Sequence, residues 1–145
     1  MTKKLCLILI MVMALVLPGM AHAKRMSVAV DKANIRSGPG TNYDIIWQVQ
    51  LYYPVLVQDC VNDWCRFTDV DGQAGWLHKN LLDDTKSVVT NKDKCNVRSG
   101  PSTDSKKVAI VEAGVPFKVL ANKGRWIKVE HVSGLVGWLH ASLVW

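Results

Sequence analysis

Apolar residues fall into one long run near the start of the chain and many short ones after it. The long run, residues 5–17, is uncharged for 13 residues; Lys3 and Lys4 precede it, and Pro18 and Gly19 end it. A helix that crosses a bilayer needs about 20 apolar residues, so this run is too short to span one. Ala21-His22-Ala23 follows with the small-residue spacing of a signal-peptidase site, and residues 1–23 read as a signal peptide cleaved after Ala23, with an uncleaved membrane anchor as the alternative. Cys6 lies inside the run behind Lys4 and Leu5, without the small neighbour that a lipoprotein cleavage box requires. An exported protein with no transmembrane segment after cleavage, periplasmic or extracellular, is the expectation, in a compartment where disulfides persist.

Beyond residue 23 the apolar stretches are short and punctuated. Residues 27–30 and 34–36 precede a Ser37-Gly38-Pro39-Gly40 turn; 45–51, 54–60, 64–68 and 74–77 follow, each bounded by Gly, Pro, Asn or Asp. None combines helical length with a 3.6-residue apolar period. Later in the chain Pro116, Lys118 and Leu120 alternate with Phe117, Val119 and Ala121, which predicts a strand with two unlike faces. The pattern predicts an all-β protein.

The same pattern is written twice. Asn34, Arg36-Ser37-Gly38-Pro39 and Thr41 recur as Asn96, Arg98-Ser99-Gly100-Pro101 and Thr103; Gly75-Trp76-Leu77-His78 and Leu81 recur as Gly137-Trp138-Leu139-His140 and Leu143, all at an offset of 62. Val49, Pro54, Val57, Trp64 and Val70 meet Val111, Pro116, Val119, Trp126 and Val132 in the same register. Aligning 26–83 with 88–145 gives 19 identities in 58 positions without a gap, which marks a duplicated domain.

The combination of Asn-(Ile/Val)-Arg-Ser-Gly-Pro-x-Thr, a Trp after a central turn, and a closing Gly-Trp-Leu-His-x-x-Leu resembles the bacterial SH3 (SH3b) domain, nearly end to end in both copies. The resemblance implies two small SH3-like β-barrels of five to seven strands each, over 26–83 and 88–145. It also implies an exported or periplasmic adaptor that binds cell wall or peptide and is not itself a catalyst. The linker, residues 84–87, is short enough that the two barrels should touch and act as a rigid pair.

Composition bears on what such a pair could bind. The whole chain carries Lys+Arg 18 against Asp+Glu 12, or 16 against 12 once Lys3 and Lys4 leave with the leader. The first unit has four Lys+Arg and seven Asp+Glu, net −3; the second has nine and four, net +5. Lys106, Lys107, Lys118, Lys123, Arg125 and Lys128 form a candidate basic patch for anionic polymers, or a means of docking one barrel on the other. Nucleic acid is not expected for an exported protein.

Where the copies agree, side chains read as scaffold; where they differ, as candidates for function. Trp47, Tyr52 and Tyr53 stand opposite Ala109, Gly114 and Val115, and with Tyr43 they form the candidate ligand-binding set, for sugar rings, proline-rich peptide or a partner protein. The alternative is that they fill the gap between the barrels. His78 and His140 read as structural, and Arg36 and Arg98 as stacked on the Trp of their own barrel or paired with a carboxylate.

Cys60 and Cys65 flank the turn Val61-Asn62-Asp63-Trp64 and are replaced together, by Asn122 and Ile127, so they are expected to form a disulfide across a hairpin. Cys95 aligns with Ala33 and reads as a buried free thiol, with an intermolecular bridge as the alternative. No Cys-x-x-Cys, close His pair, phosphate-binding loop or helical carboxylate pair occurs, so no metal, cofactor or catalytic residue is expected. The function expected is attachment to cell-wall glycan, peptidoglycan or an anionic wall polymer; the rival is an adaptor recognising an envelope protein.

Overall fold

The computed structural model describes residues 22–145, so the expected leader lies outside the described residues apart from His22 and Ala23. The first half runs β1 (Lys24–Val28), β2 (Lys32–Arg36), β3 (Ile45–Gln50), β4 (Pro54–Val61), β5 (Trp64–Thr68), β6 (Ala74–His78) and β7 (Leu82–Asp83), with a short 3-10 turn, Lys79–Leu81, before the last. The second runs β8 (Ser87–Val89), β9 (Cys95–Arg98), β10 (Lys107–Val111), β11 (Pro116–Lys123), β12 (Trp126–Glu130) and β13 (Val136–His140), and ends in the 3-10 turn Ala141–Leu143. The sheet orders are β3-β2-β6-β5-β4-β1-β7 and β10-β9-β13-β12-β11-β8, the same topology twice.

The repeat register is also the hydrogen-bond register. Val28 N–H donates to Tyr53 O and Thr90 N–H to Val115 O, both at 3.0 Å; Ser37 N–H reaches Asp44 O at 2.9 Å where Ser99 N–H reaches Lys106 O at 2.8 Å. Each pair differs by 62. Glycine stands at 75 and 137 for a packing reason, because a Cβ there would strike Ile35 in one barrel and Val97 in the other.

Each barrel has its own core. Ile35, Val55, Phe67 and Leu77 fill the first; Val97, Phe117, Val129 and Leu139 fill the second. Alternation along the strands sends these side chains inward and their neighbours outward. The alternation expected through Ala121 fails at one point. A bulge between Val119 and Ala121 adds a residue, so Val119 faces inward opposite Val129 while Ala121 turns outward opposite Lys128. The first strand also differs from the expected 27–30: it starts at Lys24, which pairs with Val57, and ends at Val28.

The barrels touch, as the short linker predicts. Arg25 of β1 donates to Ser87 O at 3.3 Å and its guanidinium lies 4.1 Å from the ring centroid of Trp145, the last residue of the second barrel.

Candidate functional site

Two groups of matched residues turn out to hold the frame. His78 and His140 accept the N–H of Asn80 and Ser142 on Nδ1 at 3.2 Å each, capping the 3-10 turns, and stand edge-on to Trp64 and Trp126 at 5.3 and 5.2 Å. Arg36 and Arg98 are expected to stack on the Trp of their own barrel or to pair with a carboxylate, and among the described residues they do neither. Their guanidinium groups donate to backbone carbonyls of the Ser-Gly-Pro loop: Arg36 to Thr41 O at 3.1 Å and Tyr43 O at 2.9 Å, Arg98 to Ser105 O at 3.0 Å. A loop whose carbonyls point inward needs a donor from outside its own backbone, and a planar fork can serve two at once.

Cys60 and Cys65 are register partners on β4 and β5, joined as a disulfide with Cα atoms 4.0 Å apart. The turn between them places Asn62 at φ 47° and Asp63 at φ 66°, the left-handed pair that brings two antiparallel strands back on each other. Cys95 is free and buried; its thiol donates to Lys92 O, and burial pushes its pKa up.

The four aromatic candidates occupy different surroundings. Trp47 is half-buried against the first core and meets Phe67 edge-on at 6.3 Å, because its register partner Ile35 faces inward. Tyr43 is 42% exposed and lies over Gly38, where a Cβ would strike its ring. Tyr52 is half-buried at φ 70°, a conformation that its counterpart Gly114 adopts at φ 86° without a side-chain penalty. Tyr53 packs against the core and also lines a cleft between the barrels. Burial first, then the charges of Asp69 and Asp71, push its phenol up to about 12.

Of the basic candidates, Lys107, Lys118, Lys123 and Lys128 share one surface. Register partners point to the same side of a sheet, and the ladder runs Lys107–Arg98–Trp138–Lys128, with Lys123–Trp126–His140 and Lys118–Glu130 beside it. Arg98, Trp126 and Trp138 thus belong to this face, although the sequence marked the two rings only as matched. Lys106 precedes β10, and Arg125 lies in the turn between β11 and β12. In the first barrel the same ladder reads Ile45–Arg36–Trp76–Arg66–Asp59, with fewer cations and an acid at its end.

A cleft of about 560 Å³ lies between the barrels, with Gln48, Val49, Gln50 and Tyr53 on one wall and Val111, Glu112, Val115, Pro116 and His131 on the other. Sequence reasoning did not single out Gln48, Gln50, Glu112 or His131. The signal was present: they align with Ile110, Glu112, Gln50 and Asp69, so the copies differ at each. Among the described residues no group of three or more His, Cys, Asp or Glu is placed to hold a metal ion, and no helix is long and apolar enough to cross a membrane.

This chain is similar in sequence to parts of known proteins. YrvJ of Bacillus subtilis, named as an N-acetylmuramoyl-L-alanine amidase, is 29% identical over 130 residues, covering 81% of this chain and 24% of that protein. LytH of Staphylococcus epidermidis, named as a cell wall amidase, is 30% identical over 69 residues, covering 44% of this chain and 23% of that protein. The chain therefore spans about a quarter of either relative. A solved NlpC/P60 family protein from Bacillus cereus gives a TM-score of 0.41 at 14% identity, over 84% of this chain and 56% of that one. The bacterial SH3 domain family matches residues 29–84 and again 91–145, between them most of the described residues, and the chain belongs to that family, with two of its domains in tandem.

Proposed function

We propose that the chain is a non-catalytic binding module of the cell envelope, exported after loss of residues 1–23, that attaches to the wall through peptidoglycan or an anionic wall polymer. The outer face of the second barrel carries this reading: Arg98, Lys107, Lys123 and Lys128 stand around Trp126 and Trp138 on a rigid sheet. Cations gather phosphate or carboxylate, and flat rings offer apolar faces to sugar rings. The relatives named as amidases support it, since similar barrels occur in proteins named for wall chemistry. Groups that a catalyst would draw on are engaged in the frame, with His78 and His140 capping turns and Cys60 bonded to Cys65.

Co-sedimentation with purified sacculi tests the reading. The wild-type chain should pellet with the sacculi and come off as salt is raised, and K107E/K128E should lower retention about tenfold while the melting temperature holds. Absence of wild-type retention, or retention indifferent to both substitutions, overturns it.

A second reading, an adaptor that recognises an envelope protein through the first barrel, is favoured by Tyr52. A bulky ring held at φ 70° costs about 1–2 kcal/mol, and glycine does the same backbone work in the second barrel.

A further inference from the structure

The two sheets do not close on themselves, so β3 and β10 each have one hydrogen-bonded neighbour, β2 and β9. A free strand edge presents unpaired N–H and C=O groups, and proteins ordinarily guard such edges with lysine or proline. β10 starts with Lys107, just after Lys106. β3 is unguarded: its sequence, IIWQVQ, has no charge, and Ile45 and Ile46 are 49% and 46% exposed. Its C-terminal half, Gln48 to Gln50, is also one wall of the cleft between the barrels.

We propose that β3 is a strand-addition site for an extended peptide segment of another protein, one that carries a lysine or a free amino terminus and lies in the cleft against the second barrel. Only a peptide backbone offers alternating donors and acceptors to match a strand edge; a glycan does not. Alternate side chains of an added strand would meet the apolar walls made by Val49, Val111, Val115 and Pro116. Charge selects the cation. Glu112 stands on the facing wall, and the charges of Asp69 and Asp71 reach Tyr53 on the near one. His131 accepts the Ser133 N–H on Nδ1 at 3.2 Å, so its neutral ring keeps Nε2–H as a donor.

This inference stands apart from wall attachment, which uses the outer face of the second barrel. The probe is a display library of random octapeptides selected on the full chain. Enriched peptides should alternate small apolar residues with others and carry Lys or Arg. A synthetic winner should lose about tenfold in affinity when alternate backbone nitrogens are methylated, which removes donors but keeps side chains. Ile46→Lys, at an exposed position, should cost about tenfold as well, and Glu112→Lys should redirect selection toward acidic peptides. Failure of any peptide to enrich, or binding that ignores methylation and Ile46→Lys, overturns the proposal. So does a dimer in sedimentation equilibrium that Ile46→Lys dissolves, since a second copy then owns the edge. Sacculus retention, measured on Ile46→Lys in parallel, should be unchanged, which keeps the two proposals separable.

Discussion

The two barrels share a backbone and little else. Corresponding hydrogen bonds repeat at an offset of 62, down to Tyr52 N–H on Val28 O and Gly114 N–H on Thr90 O, yet only 19 of 58 aligned residues are identical. The cores show how this is possible. Val55 and Phe67 of the first barrel correspond to Phe117 and Val129 of the second, all four fully buried, so the phenyl ring has moved from β5 to β11 while the summed volume is unchanged. The barrel fixes its hydrogen bonds, and at this pair of sites it keeps the volume while leaving open which strand supplies the ring. Surface charge is freer still, at −3 against +5.

The sharpest way to break that comparison is to move the ring. Phe67→Ala empties a site in the first core and should destabilise that barrel by about 3–5 kcal/mol. The double substitution Val55→Phe with Phe67→Val copies the second barrel's arrangement and should cost less than about 1.5 kcal/mol. Urea unfolding of both variants decides it. If the double variant is as unstable as Phe67→Ala, the two cores are not interchangeable and the barrels differ in backbone after all.

This degree of freedom explains what the sequence disclosed and what it withheld. The fold was legible because the turn and Trp motifs recur in register and because local alternation marks each strand's inner face. The bulge at Val119 was not legible, since one added residue leaves the apolar composition unchanged while reversing the faces beyond it. Comparing copies pointed to Tyr53 but passed over Gln48, Glu112 and His131, because a long-range cleft draws one wall from each barrel and no local pattern joins them. The same comparison set Trp126 and Trp138 aside as scaffold, although a matched ring can serve the frame with its edge and a ligand with its face. Trp47 is half-buried with its ring on Phe67, so its absence from the second barrel also changes how that core is filled.

A smaller asymmetry is the hairpin. The first barrel closes it with Cys60–Cys65 and the second has Asn122 and Ile127, so a reductant should act on one barrel alone. The loop is short, and chain entropy puts the loss at about 2 kcal/mol. Calorimetry with and without dithiothreitol should show the unfolding of the first barrel shifted down and that of the second unchanged. A shift common to both would mean that the barrels unfold as one unit. Thiol titration of the unfolded, unreduced chain should then find Cys95 as the single free thiol after residue 23.

The smallest expected difference lies in alkali. Tyr53 has Val115 as its counterpart, so only the first barrel has a half-buried phenol beside Asp69 and Asp71, pushed up to about 12 from an ordinary 10.0. The raised value means that the folded state prefers the neutral ring. The stability this contributes is complete below pH 10, where both states are protonated, and is lost as pH climbs from 10 to about 12, where only the unfolded chain has ionised. With allowance for solvent screening at a half-buried site, the loss is about 1 kcal/mol. Lysines titrate in the same range, so the measurement has to be differential. Tyr53→Phe cannot ionise, and the wild type should therefore lose stability relative to this variant between pH 10 and 12, confined to the first barrel. Parallel curves for the two proteins would mean that the phenol ionises as readily in the folded chain as in the unfolded one.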